Sequence, residues 1–179
     1  MTGAGKVYGE ALYDLAKSEN LSQQILQQLS VLEESFAAQP EFLRLLSAPN
    51  LTKDERCGVL DDCFAGKVHP YVLNFMKLLT ERGYSRQFVQ CCSTYREQYN
   101  ADNGILPVTA VTALPLRPEQ TLKLTEKLHE LTGKTIELKN RVDSAVLGGI
   151  RLDYDGKQLD DTVSGRLAAV RNMLKNTVL

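Results

Sequence analysis

Tyr99-Asn100-Ala101-Asp102-Asn103-Gly104-Ile105-Leu106-Pro107-Val108-Thr109-Ala110-Val111-Thr112 is the stretch in which the sequence changes its period. Upstream, apolar residues recur every three or four positions; from Ile105 onward they gather in short β-branched runs. Asn103-Gly104 has the chemistry of a turn. Ile105–Thr112 then reads as a strand. Proline has no N–H for a ladder, so Pro107 restricts it to a sheet edge or to the strand's start. The expected fold is α+β: an N-terminal six-helix bundle over residues 1–104, then a small C-terminal α/β domain over 105–179.

Upstream of the turn, a first helix over 6–18 places Val7, Ala11, Leu12 and Leu15 on one side. A second, over 22–38, follows Leu21 and carries Ile25, Leu29, Leu32 and Phe36 at intervals of four, three and four. Pro40 suits the first turn of a short third helix with Phe42, Leu43, Leu45 and Leu46, which Pro49-Asn50 ends. Thr52-Lys53-Asp54-Glu55 is a capping box for a fourth, with Val59, Leu60, Cys63 and Phe64 before Gly66. A fifth follows Pro70 and ends at Gly83, placed as a left-handed cap. The sixth, over 85–101, aligns Phe88, Cys92, Tyr95 and Tyr99.

Downstream, Pro118 opens a helix with Leu124, Leu128 and Leu131 in line, and Gly133 closes it. Thr135–Val142 alternates, with Ile136 and Leu138 on one face and Glu137, Lys139 and Arg141 on the other. Ile150, Leu152 and Tyr154 alternate with Arg151 and Asp153. Asp155-Gly156 is a two-residue hairpin signal, since both central positions of a type I′ turn need positive φ. Val163, Leu167, Val170 and Leu174 form the stripe of a last helix.

Composition narrows the function. The 179 residues are 43% hydrophobic and 24% charged, as in a folded domain. Formal net charge is −1, with 10 basic against 13 acidic side chains in residues 1–105 (−3) and 11 against 9 thereafter (+2). Neither half carries the basic excess of a nucleic-acid binder. No apolar run approaches the ~20 residues that span a bilayer, and residues 1–10 have no signal core; the chain reads as intracellular. Cys57, Cys63, Cys91 and Cys92 lack C-x-x-C spacing, and His69 and His129 stand alone. Gly3-Ala4-Gly5-Lys6 lacks the leading Gly and the trailing hydroxyl of a phosphate-binding loop. Gly148-Gly149 precedes a strand, which fits a bulge or close backbone approach better than a dinucleotide site. Asp153, Asp155, Asp160 and Asp161 lack calcium-loop order, and Ser144 and Ser164 sit in no nucleophile elbow. The expectation is no catalytic residue, no metal and no cofactor.

What remains is surface. Tyr71-Val72-Leu73-Asn74-Phe75-Met76-Lys77-Leu78-Leu79 carries two apolar stripes: Val72, Met76 and Leu79, and Tyr71, Phe75 and Leu78 with Asn74 between them. Either this helix is central and buried all round, or the second stripe meets a partner's amphipathic helix. Tyr8 and Tyr13, flanking the first helix's apolar face, would suit the rim of such a groove.

Lys6-Val7-Tyr8-Gly9-Glu10-Ala11-Leu12-Tyr13 resembles the opening helix of the delta subunit of bacterial F-type ATP synthases, counterpart of the mitochondrial oligomycin-sensitivity-conferring protein. Asp143-Ser144-Ala145-Val146-Leu147-Gly148-Gly149-Ile150-Arg151-Leu152, then Asp160-Asp161-Thr162-Val163 and Gly165-Arg166-Leu167, is similar to that family's C-terminal signature. The likeness covers essentially the whole chain. It departs at Lys6, where Arg is usual, at Gly9, where Ala is common, and at Ser164, where a basic residue is frequent.

The resemblance implies a non-catalytic peripheral-stalk, or stator, subunit. It would link the catalytic head to the b-type stalk and resist rotation during proton- or sodium-driven ATP synthesis. It would sit peripherally at the cytoplasmic face of the cell membrane without inserting into it. The N-terminal helix of an α subunit would lie between the first and fifth helices, on Tyr8, Ala11, Leu12 and Leu15 facing Tyr71, Asn74, Phe75 and Leu78. Four well-buried anchors there would supply roughly 6–12 kcal/mol before ordering costs. The C-terminal domain would meet the b-type stalk subunits, with Ile150, Leu152, Val163, Leu167 and Val170 as candidate contacts. Nucleic acid is not an expected partner. The alternative is a stand-alone helical adaptor that binds an amphipathic peptide.

Overall fold

The computed structural model describes residues 3–48, 51–146 and 148–162. They form a mixed α+β structure of seven α-helices and a four-stranded sheet, in a chain that divides into two compact units, residues 1–99 and 100–179.

In the first unit, helices α1 (Ala4–Ser18), α2 (Ser22–Ala38), α3 (Pro40–Leu45), α4 (Lys53–Phe64) and α5 (Pro70–Glu81) lead through a 3-10 turn (Ser85–Gln87) into α6 (Phe88–Asp102). The boundaries follow local chemistry. Thr52 Oγ1 accepts from the Glu55 N–H at 3.2 Å, and Glu55 Oε2 accepts from the Thr52 N–H at 2.8 Å, completing the capping box. Gly83 has φ +75°, and Tyr84 N–H reaches back to Leu79 O at 2.7 Å, so α5 ends in a left-handed cap.

The core of this unit is aromatic. Phe36 of α2 is its hub, stacked on Phe42 and edge-on to Phe64 and Phe88 with ring centroids 5.0–6.2 Å apart. Ile25, Leu29 and Leu32 are buried along the same face of α2. On α6, Phe88, Cys92 and Tyr95 are buried as the stripe requires; the Tyr95 hydroxyl, carried into the interior, donates to Ser22 O at 2.9 Å. Helix α1 departs from expectation. Its buried residues are Gly5, Gly9, Leu12, Tyr13 and Ala16, while Val7 is 62% exposed and Leu15 41%. Glycine bears no apolar signal, so a hydrophobic pattern misplaces a face built on close backbone approach.

In the second unit, β1 (Ile105–Thr112) leads through α7 (Pro118–Thr132) to β2 (Thr135–Val142), then β3 (Ile150–Tyr154) and β4 (Lys157–Asp160). The order is β2-β1-β3-β4. β1 runs parallel to β2, with Ile105 opposite Thr135, and the helical crossover α7 makes that pairing reachable. β3 lies antiparallel to β1, with Val108 opposite Tyr154. Strand β1 is thus interior, and Pro107 is tolerated because it falls near the strand's start, ahead of Val108–Thr112 where both neighbours pair. Asp155 (φ +47°) and Gly156 (φ +68°) make the β3–β4 hairpin with the two positive φ values that the turn needs.

One sheet face is apolar: Leu106, Val108, Ala110 and Leu152 cluster beneath Leu124 and Leu128 of α7. Leu131, expected in the same line, is 74% exposed in the last turn, because the helix's apolar stripe outruns the cluster it covers. Asn140 of β2 donates to Ala110 O and Thr112 Oγ1 and accepts from Leu116 N–H, tying the crossover to β1. Gly149 (φ +86°) lies so close to the Asp161 carbonyl that a Cβ has no room, which is the close approach read from Gly148-Gly149. The last-helix stripe of Val163, Leu167, Val170 and Leu174 lies outside the described residues, as do Leu147, Ser164 and the Gly165-Arg166-Leu167 motif.

Candidate functional site

Helix α5 is held from three sides. Pro70 occupies its first position, and the His69 ring caps it, Nδ1 accepting from Tyr71 N–H at 3.3 Å. The His69 N–H in turn donates to Gln28 Oε1 at 2.7 Å. Val72, Met76 and Leu79 are buried in the core, and the Lys77 ammonium meets Asp61 of α4 at 2.6 Å.

The second stripe of α5 is not buried all round. Tyr71, Asn74, Phe75 and Leu78 face Tyr8, Ala11, Leu12 and Leu15 of α1, and these eight residues together line a concavity of about 270 Å³. Both walls use the same i, i+3, i+4, i+7 spacing, the repeat of one helix face. Leu12 (5% exposed) and Phe75 (6%) form the floor, already out of water. Ala11, Asn74, Leu15 and Leu78 stay exposed, and Tyr8 and Tyr71 are half-buried. The Tyr8 ring rests on Tyr84 with centroids 5.9 Å apart, and Tyr71 packs beside His69 at 5.0 Å. Those contacts fix both aromatic bodies at the margin.

Tyr13 belongs elsewhere. It is buried edge-on to Tyr95 at 5.3 Å, because its position on α1 follows Leu12 round toward the core instead of toward the trough. It forms no rim. Nothing in the spacing of the sequence marks Tyr84 as a support for Tyr8. The α1 glycines do carry a readable signal, since small residues four apart mark a helix face that meets another backbone.

The groove has no chemistry for catalysis. Its lining holds two phenols, one amide and five apolar side chains, with no nucleophile beside a base. At 270 Å³ it lies below the range of about 300–1,000 Å³ for small-molecule pockets, so it suits side chains of a docked helix better than a whole ligand. Burying the exposed parts of Leu15 and Leu78 would contribute only about 1 kcal/mol each. With Leu12 and Phe75 already covered, the guest's own apolar stripe has to supply the larger share.

Elsewhere, among the described residues, no group of three or more His, Cys, Asp or Glu could hold a metal ion. Asp160 accepts from the Thr162 N–H at 2.9 Å, and bonding to Thr162 holds its carboxyl below the ordinary range, which is local turn chemistry. The thiols are free: Cys91 and Cys92 are buried, Cys57 and Cys63 half-buried. Burial pushes Cys91 up to about 11 and raises Cys92 too, where Glu33 adds to the effect. No described helix is long and apolar enough to cross a membrane.

Of the five candidate stalk contacts, Leu152 is buried in the sheet's own cluster and Ile150 packs against it. Val163, Leu167 and Val170 lie outside the described residues.

Comparison with known proteins gives a consistent answer along the chain. The family model for the ATP synthase delta (OSCP) subunit matches residues 4–174. The ATP synthase subunit delta of Alkaliphilus oremlandii is 27% identical over 174 residues, covering 97% of both chains. That of Gloeobacter violaceus is 32% identical, covering 89% of this chain and 88% of its own length. In fold, the chain is similar to one in the cryo-electron microscopy structure of the Toxoplasma gondii mitochondrial ATP synthase hexamer, with a TM-score of 0.78, 18% identity, and 95% and 96% of the two chains covered. The chain therefore belongs to the ATP synthase delta (OSCP) subunit family, as a structural, non-catalytic subunit of the peripheral stalk.

Proposed function

We propose that this subunit couples the catalytic head of an F-type ATP synthase to its b-type stalk, resisting rotation while an ion gradient drives ATP synthesis. The six helices of the first unit act as a bundle that presents the α1–α5 groove to the amphipathic N-terminal helix of an α subunit. The second unit meets the C-terminal ends of the stalk subunits. The complex holds the chain peripherally at the cytoplasmic face of the membrane.

One observation carries this reading: two helical stripes of identical spacing line a single trough whose floor is dry and whose lips, Leu15 and Leu78, remain wet. Helical spacing on both walls of an open apolar trough is the arrangement that a guest helix fills. Neither attachment needs to be strong alone. With two sites on one chain, a released site rebinds intramolecularly, so modest affinities in series form a durable link.

Titrating the purified chain with a peptide from the cognate α-subunit N-terminus tests the proposal. Saturable binding that Leu78→Asp removes is the expected result. A folded chain that ignores the peptide would sink it.

A further inference from the structure

We infer that Gly9 is a positioning residue for the groove: its missing side chain seats α1 on the α6 backbone and so sets where Tyr8, Ala11, Leu12 and Leu15 stand opposite α5. This rests on the receptor reading of the groove.

Gly9 is buried on α1 one residue from Tyr8, on the side turned to α6. A Cβ placed there would lie 2.6 Å from the Cys91 carbonyl oxygen and 2.9 Å from Thr94 Cβ, whereas ordinary contact begins near 3.4 Å. The obstacle is the main chain of α6, which cannot rotate aside. An alanine at position 9 therefore lifts α1 off α6. Helix α5 does not follow, because the His69 N–H bond to Gln28, the core stripe and the Lys77–Asp61 pair hold it to α2 and α4. The two walls of the trough then lose their registration, and closely packed surfaces tolerate little of that.

Gly5, one turn earlier, provides an internal control. It is buried on the same side of α1, yet a Cβ there would meet the Gln90 side chain, with Cγ at 2.9 Å and Cβ at 3.2 Å. Gln90 is exposed, so its Cγ swings away, and its Cβ at 3.2 Å asks for a shift of only a few tenths of an ångström. Gly5→Ala thus disturbs the helix far less than Gly9→Ala. Both substitutions raise helix propensity, Gly9→Ala the more because Gly5 lies in the first turn of α1, so a loss confined to Gly9→Ala reports on the obstacle.

The test compares full-length wild type, Gly5→Ala and Gly9→Ala in concentrated sucrose, which favours the compact state of a marginal variant. Circular dichroism reads folding, calorimetry reads affinity for the α-subunit N-terminal peptide, and NOEs between the α1 and α5 linings are recorded without peptide. Expected are three folded proteins, at least a tenfold weaker affinity for Gly9→Ala with Gly5→Ala within twofold of wild type, and altered lining NOEs in Gly9→Ala alone. Wild-type affinity in Gly9→Ala overturns the inference, as does an unchanged NOE pattern. A Gly9→Ala chain that stays unfolded makes Gly9 a folding requirement and overturns the positioning role. If wild type itself fails to bind, the receptor reading falls, while the NOEs of the free chains still decide whether Gly9 sets the wall.

Discussion

Phe75 and Leu78 stand three residues apart on α5 and meet water very differently, the first buried in the trough floor and the second 39% exposed at its lip. Their substitutions should separate accordingly. Phe75→Ala removes a ring that contacts Phe88 and should cost about 3–5 kcal/mol of stability, read by denaturant unfolding. Leu78→Asp should leave stability within about 1 kcal/mol. It should weaken α-peptide binding by about 2–4 kcal/mol, because a carboxylate would enter an apolar contact. Loss of helical signal in Leu78→Asp would show that Leu78 is core. At the start of α4, Thr52→Ala should cost about 1 kcal/mol through the lost cap. Glu55 accepts from the Thr52 backbone N–H and, secondarily, its hydroxyl, and this holds the carboxyl below its ordinary value. A lowered pKa stabilises the fold above the ordinary carboxylate range, and the gain is lost as pH falls through the folded value. The difference in melting temperature between wild type and Glu55→Ala should therefore be steady near neutrality and close in acid. Among the thiols, a disulfide reagent in mildly alkaline buffer should reach only Cys57 and Cys63 in the native chain and all four in guanidinium, since burial keeps Cys91 and Cys92 protonated and covered.

At the scale of elements, the limits of the helices were legible because caps and breakers are local. Helix α2 begins at Ser22 and ends at Ala38 as its spacing dictates, and Thr52, Pro70, Gly83, Pro118 and Gly133 punctuate the chain where their backbone preferences require. The two stripes of α5 were visible as well, and the structure divides them between core and trough. The inward face of α1 is invisible to apolar periodicity, because Gly5 and Gly9 pack by absence of a side chain and Tyr13 looks amphipathic wherever it points; only the four-residue spacing of the glycines marks it. Strand β1 shows the same limit. Proline's effect on one residue is local, but whether a strand is interior depends on which partners arrive from far along the chain. Leu131 fails for a related reason, since periodicity reports a helix's apolar stripe and not the length of the surface beneath it.

Across the whole molecule, each of the two units has its own hydrophobic cluster, one aromatic and helical, the other between a sheet and α7. Separate cores belong to units that can in principle fold alone. A fragment of residues 1–104 should retain α-peptide affinity within about threefold and lose binding to the stalk subunits; loss of both activities in a folded fragment would contradict two independent sites. Leu152 should matter to the second activity only through folding, since it lies in the sheet's interior. The most direct measurement is chemical-shift mapping of the full-length chain titrated with the cognate α-subunit N-terminal peptide. Shifts should concentrate on Tyr8, Ala11, Leu12, Leu15, Tyr71, Asn74, Phe75 and Leu78, with the sheet of the second unit silent. A bound peptide whose shifts fall outside the α1–α5 trough, or a folded chain showing no shifts at all, would contradict the groove as the site where the head is held.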